Sequence, residues 1–170
     1  KGWTRSLVAE RGVVVPRGRT VSDPDDSLDD LPLPAVVKPA WEGSSKGIRS
    51  TSLVTHRDEL RARVVEMLAA YRQPVLVEEF IDGRELYVGV MGNDRLQTFP
   101  VWEMSFSKMP ENNWKIATER VKWSVKYQKK HGIDTSHAQL PEEQSAKVQH
   151  LAKRVYRALD LSGYARIDLR

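Results

Sequence analysis

Two β-rich runs, "PVLVEEFI" (74–81) and "RELYVGVMG" (84–92), flank the dipeptide Asp82-Gly83. β-Branched and aromatic residues suit a pleated backbone, and Asp-Gly accepts the positive φ that a tight reversal needs. A third run, "LQTFPVWEMSF" (96–106), extends the pattern into an antiparallel meander. A chain with this middle must build sheet, and the rest of it must supply what covers that sheet.

The flanks supply helices. Residues 2–11 read as a helix stopped by Gly12, and "VVVP" begins a strand that runs to Val21. "AVVKPA" (35–40) is an apolar run of strand length. Thr55 with Asp58 three residues later forms a capping-box pattern, and Leu60, Val64, Met67, Leu68 and Tyr71 follow at helical spacing. Pro141 opens a second helix with Val148, Leu151, Ala152, Val155 and Leu159 on one face, and "GYARIDLR" (163–170) closes as a strand. The order is α+β, with helices packing on mostly antiparallel sheets. It opens inside a helical pattern and closes on a strand with no partner after it, so we expect it to be part of a longer protein.

Composition narrows the function classes. The 170 residues, 40% hydrophobic and 29% charged, suffice for one domain or two small lobes. No stretch approaches the roughly 20 apolar residues of a membrane span, and no signal-peptide pattern opens the chain. The absence of cysteine excludes disulfides and thiolate metal sites, and fits a reducing cytoplasm. Charge is uneven. "SDPDDSLDD" (22–30) carries five Asp and reads as an exposed connector, whereas residues 107–131 carry seven Lys or Arg against two Glu. That basic segment, with weak periodicity, reads as a long mobile loop holding one strand near "TERVKW". It is either a solvated loop or a patch for nucleic acid or a polyphosphate.

Three motifs carry candidate chemistry. In "VVKPAWEGSSKGI" (36–48), Lys38 precedes Gly43, Ser44, Ser45 and Gly47. Glycines let backbone N–H groups face one concavity, hydroxyls add donors, and lysine adds charge for phosphate. It lacks the Gly-Lys-Ser/Thr of a Walker loop, and a plain surface turn is the competing reading. In "VLVEEFIDGRELYVGV", Glu78 and Glu79 end a strand and Glu85 follows. A strand end can serve a purine edge and a carboxylate can serve ribose hydroxyls, while glutamates guarding an edge strand are the alternative. In "ARIDLR", Arg166 and Asp168 lie two apart and so share a face. That pair suits phosphoryl chemistry with magnesium, or is a simple salt bridge. Ser44 and Ser45 have no histidine at a readable spacing, and His131 and His137 no carboxylate pattern.

Taken in order, "KPAWEGSSKG", "VLVEEFIDGRE", "KW" at Lys122-Trp123 and "GYARID" resemble the ATP-grasp superfamily, most closely the D-alanine–D-alanine ligases. The family pattern is K-P-x-x-E-G-S-S-x-G, V-x-V-E-E-F-I-x-G-x-E, a lysine with an aromatic, then G-x-x-R-x-D. "KGWTRSLVAERGVVVP" is similar to the family's K-x-x-T-K helix and places Lys1 at its first ATP-binding lysine.

The resemblance implies an ATP-grasp fold of two α+β lobes with the nucleotide between them: residues 1–82 the central lobe, 83–170 a partial C-terminal lobe with a basic loop at 107–137. It implies ATP bound by Lys1, Lys38, Glu42, Gly43, Ser44, Ser45, Glu78, Glu79, Phe80, Ile81, Glu85 and Lys122. Lys1 and Lys38 would meet phosphates under the serine loop. Glu78, Glu79 and Ile81 would line the adenine edge, the last two through backbone groups, and Glu85 would take ribose. Lys122 would reach the γ-phosphate, Arg166 would steady the transferring phosphoryl group, Ser44 would join these two as a catalytic residue, and Asp168 would hold Mg2+ or Mn2+.

The implied reaction joins a small carboxylate to an amine, D-amino acids among them, through an acylphosphate. It would occur in the cytoplasm, in a homodimer, without nucleic acid or membrane. Another amino acid or peptide as acceptor, or nucleotide binding without turnover, are the alternatives. Two departures matter. Trp123 stands where the family has tyrosine, and an indole only donates. The family's E-x-N metal pair and its N-terminal domain would lie outside 1–170, so this chain alone is expected to be inactive.

Overall fold

The computed structural model describes residues 1–111 and 113–170; residue 112, inside the segment expected to be a basic loop, lies outside the described residues. In chain order the elements are α1 (Gly2–Glu10), β1 (Gly18–Val21), β2 (Ala35–Pro39), a 3-10 turn (Ser50–Ser52), β3 (Leu53–Val54), α2 (Arg57–Tyr71) and β4 (Val75–Glu79). There follow β5 (Glu85–Met91), β6 (Gln97–Thr98), β7 (Trp102–Phe106), α3 (Glu119–Trp123), α4 (Val125–His131), β8 (Ile133–His137), α5 (Glu142–Ala158) and β9 (Tyr164–Leu169). Contacts gather these into two units. The first holds residues 1–2, 16–81 and 109–131, and the second holds 3–15, 82–108 and 132–170.

The first unit is built on an antiparallel sheet in the order β1-β4-β2-β3. Alternation sends Ala35, Val37, Val75 and Val77 to one face, where α2 covers them with Leu60, Val64 and Met67. Each such side chain is almost wholly buried, and each of the valines, Leu60 and Met67 contributes roughly 1.5–3 kcal/mol. Val36 points the other way and packs with Leu53, Phe80 and Ile116. Glu78 and Glu79 therefore end an interior strand, so the edge-strand reading of these glutamates fails.

Three local expectations are corrected here. The start of α2 is not a Thr55–Asp58 capping box; His56 is the N-cap, and the Thr55 amide and hydroxyl both reach Glu59, at 3.2 and 3.5 Å. "TERVKW" is not a strand but the helix α3, because the Thr118 hydroxyl accepts from the Val121 amide and Glu119 sits in the first turn. The segment after it is α4, not irregular loop.

The second unit centres on β5. Strand β9 pairs with it along one edge from Leu86 to Met91, while β7 and β6 share the other edge and β8 lies outside β7. Helices α1 and α5 cover the sheet through Val8, Ala152, Val155 and Tyr156 against Val88, Val90 and Ile167. The expected meander holds for the runs after Gly83 only. Strand β4 belongs to the other sheet, so Asp82-Gly83 joins two sheets and does not close a hairpin. The run 96–106 is split around Pro100, which cannot donate to a ladder.

Candidate functional site

In the first unit the phosphate-loop candidates converge. Lys38 on β2 and Glu78 on β4 share a face one register step apart, and the Lys38 ammonium donates to the Glu78 carboxylate with both side chains mostly buried. The Lys1 ammonium donates to the carbonyls of Pro39, at 2.5 Å, and Glu42. Burial and then the neighbouring Lys38 lower the Lys1 pKa, against Glu42 and Glu78, which raise it. Two cations thus stand close, Lys1 with its pKa lowered despite Glu42 and Glu78, an arrangement that a polyanion would relieve.

The loop after β2 is wound into consecutive turns. Ser44, Ser45 and Gly47 take left-handed conformations, with φ of 50°, 62° and 79°. Two turns fix them, Lys46 N–H to Gly43 O and Ile48 N–H to Ser45 O, each 2.9 Å. The Glu42 carboxylate accepts from Lys46 at 3.0 Å and from Gln73 at 3.1 Å, and Lys46 chiefly holds its pKa below the usual range. A Cβ on Gly43 would meet nothing within 4 Å, so the loop's outer side is open. Trp123 at the end of α3 donates its indole N–H to the Ser44 carbonyl at 3.0 Å, placing α3, and Lys122 within it, beside the serine loop.

The strand-end set is engaged differently. The Glu79 carboxylate accepts from the Arg17 side chain and amide, both at 3.2 Å, which lowers its pKa. The amides of Glu79 and Phe80 donate to Arg17 O and Pro34 O at 2.7 and 2.9 Å, so these two donors are already used within the protein. The Phe80 ring is buried edge-to-face against Trp114.

In the second unit, β5 and β9 bring another cluster onto one face. Tyr87 lies opposite Asp168, and Arg166 opposite Gly89. Arg166 makes a bidentate pair with Asp168 at 2.7 and 3.1 Å, and its guanidinium lies 4.7 Å from the Tyr87 ring centroid. The Tyr87 hydroxyl donates to Glu85 at 3.4 Å, and Glu85 accepts from Arg170 at 3.2 Å. Burial, then the Glu85 and Asp168 charges, push the Tyr87 phenol well up, so it stays a donor. Tyr87, Arg170 and Arg17 went unrecognised in the sequence. The alternation Glu85–Tyr87 and Arg166–Asp168–Arg170 was the available signal for the first two, since period 2 puts each series on one face.

The expected metal role finds Asp168 already paired with Arg166, with Glu85 the other carboxylate of this cluster. Among the described residues no group of three or more His, Asp or Glu side chains is placed to hold a metal. These side chains do not make a metal site by themselves. A polyphosphate fits better, on the observation of two lysines beside an open serine–glycine loop. A cavity of about 540 Å3 in the same unit is lined by residues 48–51 and by side chains between Met109 and Tyr127, none from the expected nucleotide set.

Comparison with known proteins bears on these clusters. The family model for the D-ala D-ala ligase C-terminus matches residues 14–170. A D-alanine–D-alanine ligase of Syntrophobacter fumaroxidans is 36% identical over 163 residues, which is 96% of this chain and 46% of that protein. The VanG D-Ala:D-Ser ligase of Enterococcus faecalis superposes with a TM-score of 0.70 at 25% identity, over 97% of this chain and 46% of that one. A Bacillus anthracis D-alanine–D-alanine ligase, solved in complex with ATP, superposes with the same score of 0.70 at 21% identity, over 97% and 47%. The chain spans about half the length of the curated relatives it matches. Among the described residues no helix is long and apolar enough to cross a membrane. With two antiparallel α+β units of this topology, the fold is that of the ATP-grasp ligases, and the chain belongs to the D-ala D-ala ligase C-terminus family.

Proposed function

We propose that this chain supplies the ATP-binding part of an ATP-dependent carboxylate–amine ligase that joins D-amino acids through an acylphosphate. The observation that carries the reading is the convergence of Lys1, Lys38 and the left-handed serine loop in one unit. Lys1 and Lys38 neutralise phosphate oxygens, with Glu42, Gly43, Ser44 and Ser45 shaping the loop above them. Lys122 reaches the γ-phosphate from α3. Glu78, Phe80 and Ile81 border the base, and Glu85 accepts from ribose. Asp168 is the residue that would meet a Mg2+ or Mn2+ ion carried on the phosphates, where the ion would lend charge neutralisation.

Little covalent work falls to the protein. Arg166 holds the phosphoryl oxygens as charge develops on them, and Ser44 orients the acceptor side. Its pairing with Asp168 and its seat on Tyr87 keep the guanidinium in one orientation before substrate arrives. The lysines supply charge where water is excluded, and orientation supplies most of the remaining rate.

A second reading has one observation in its favour. The indole of Trp123 spends its only hydrogen on Ser44 O, so it offers no hydroxyl toward an acceptor. This favours an acceptor other than D-alanine, such as another amino acid or a peptide. Mg-ATP titrated calorimetrically into the chain tests the first part, with Lys38→Met expected to abolish the heat. Phosphate release by the longer protein with a panel of D-amino acids tests the second. No nucleotide binding by the wild-type chain would overturn the proposal.

A further inference from the structure

Ser44 and Ser45 both hold positive φ, a conformation that side-chain-bearing residues keep only when their surroundings force it. The source of that force lies eight positions beyond Ser44. Ser52 is fully buried, and its hydroxyl donates to the Gly47 carbonyl at 3.3 Å while accepting from the Arg49 amide at 3.0 Å and from Arg63 Nη2 at 3.3 Å. A hydroxyl has one donor and two acceptor positions, so every capacity of this one is used. Arg63 is itself buried on the core-facing side of α2, beside Leu60, Val64 and Met67. Its Nη1 reaches Glu66 at 2.7 Å, and its Nε has no partner among the described residues. A buried guanidinium is costly, and an apolar side chain at this site would pack more cheaply. Gly47 is closed in from the other side, since a Cβ there would lie 2.7 Å from Pro39 and 2.8 Å from Tyr71.

We infer that Ser52 and Arg63 are positioning residues that latch the serine loop: Arg63 fixes the Ser52 hydroxyl, Ser52 fixes Gly47 and Arg49, and the loop's conformation is thereby set before any phosphate binds. Neither residue touches the ligand. The geometric half stands on its own, and the consequence for phosphate rests on the function proposed above.

Amide hydrogen exchange on the intact chain separates the two. In Ser52→Ala and in Arg63→Met, exchange at residues 44–48 rises at least 10-fold while α2 amides from residue 60 to 68 keep wild-type protection. Arg63→Gln, which retains a donor for Ser52, falls between. The double variant Ser52→Ala/Arg63→Met exchanges no faster than either single one, because both act through one link. Mg-ATP affinity falls about 10-fold in Ser52→Ala, as expected when a site must be ordered at the moment of binding. Unchanged loop exchange in a folded Ser52→Ala variant overturns the latch, and so does an equal rise in α2, which would mean general loosening. Should Arg63→Met not fold, Ser52→Ala, which deletes one oxygen, decides alone. A wild-type chain that ignores Mg-ATP refutes the nucleotide reading and leaves the exchange result to judge the latch.

Discussion

Removing Lys38 alone should damage the fold more than removing Lys38 together with the charge on Glu78. The two side chains are 18% and 16% exposed and paired across β2 and β4. Breaking a fully buried pair costs about 3–5 kcal/mol because the surviving ion is left desolvated; with this residual exposure, and with Lys1 still nearby, Lys38→Met should cost about 2–3 kcal/mol. Glu78→Gln in the same background leaves no ion to strand and should recover about 1–2 kcal/mol. Urea unfolding of the wild type, both single variants and the double variant gives the coupling directly. Mg-ATP binding separates structure from function in the same set, since the double variant regains stability and not nucleotide. Additivity within about 0.3 kcal/mol would refute the stranded-charge reasoning. Recovery of binding in the double variant would show that Lys38 serves the sheet and not the phosphates.

Further outcomes follow from the same geometry. Glu85→Ala should weaken Mg-ATP binding by about 1–3 kcal/mol in calorimetry, the cost of one charged hydrogen bond, and an unchanged affinity would remove the ribose role. In the longer protein Arg166→Ala should lower turnover roughly 100-fold with little change in ATP affinity, because its charge matters most as phosphoryl oxygens separate. Burial and Lys38 set the folded-state pKa of Lys1 below its ordinary 10.5, so the unfolded chain binds more protons from that lowered value up to about 10.5. Wild-type stability relative to Lys1→Met should therefore rise with pH across that window, and a flat difference would contradict it. Mg-ATP should slow amide exchange through α3 and α4, whose cations repel one another until a polyphosphate arrives; equal exchange in both states would refute this.

The serine loop and the Arg166–Asp168 face were legible because each depends on spacing within a short stretch. Two residues apart on a strand means one face, and the structure places that pair as period 2 requires. What could not be read was pairing between distant segments. Nothing local told β4 to join β1 and β2 instead of β5, since Asp-Gly closes a hairpin as readily as it links two sheets. Thr118 before "ERVKW" is an N-cap signal that argues for the helix found there, against the strand that the β-branched valine and the tryptophan suggest. Arg63 looked like a solvent-facing residue of α2, and its burial follows from the 3-10 turn that lies against it. The part played by Tyr87 emerges only when β9 brings Arg166 over its ring.

The division of the chain between its two units has a kinetic consequence. The polypeptide passes from one unit to the other five times, at 2/3, 15/16, 81/82, 108/109 and 131/132. Neither unit is a contiguous stretch, so no single cut releases either one whole. The first waits for residues 109–131 before α3 can lie beside its loop, and the second waits for β9, paired with a strand more than 70 residues earlier, before its sheet is complete. Pairing at such sequence separation carries a large loop-closure entropy and slows folding. A ribosome making this chain would therefore hold a first sheet still without its late helices and a second whose β5 edge stays unpaired, and open to aggregation, until β9 emerges.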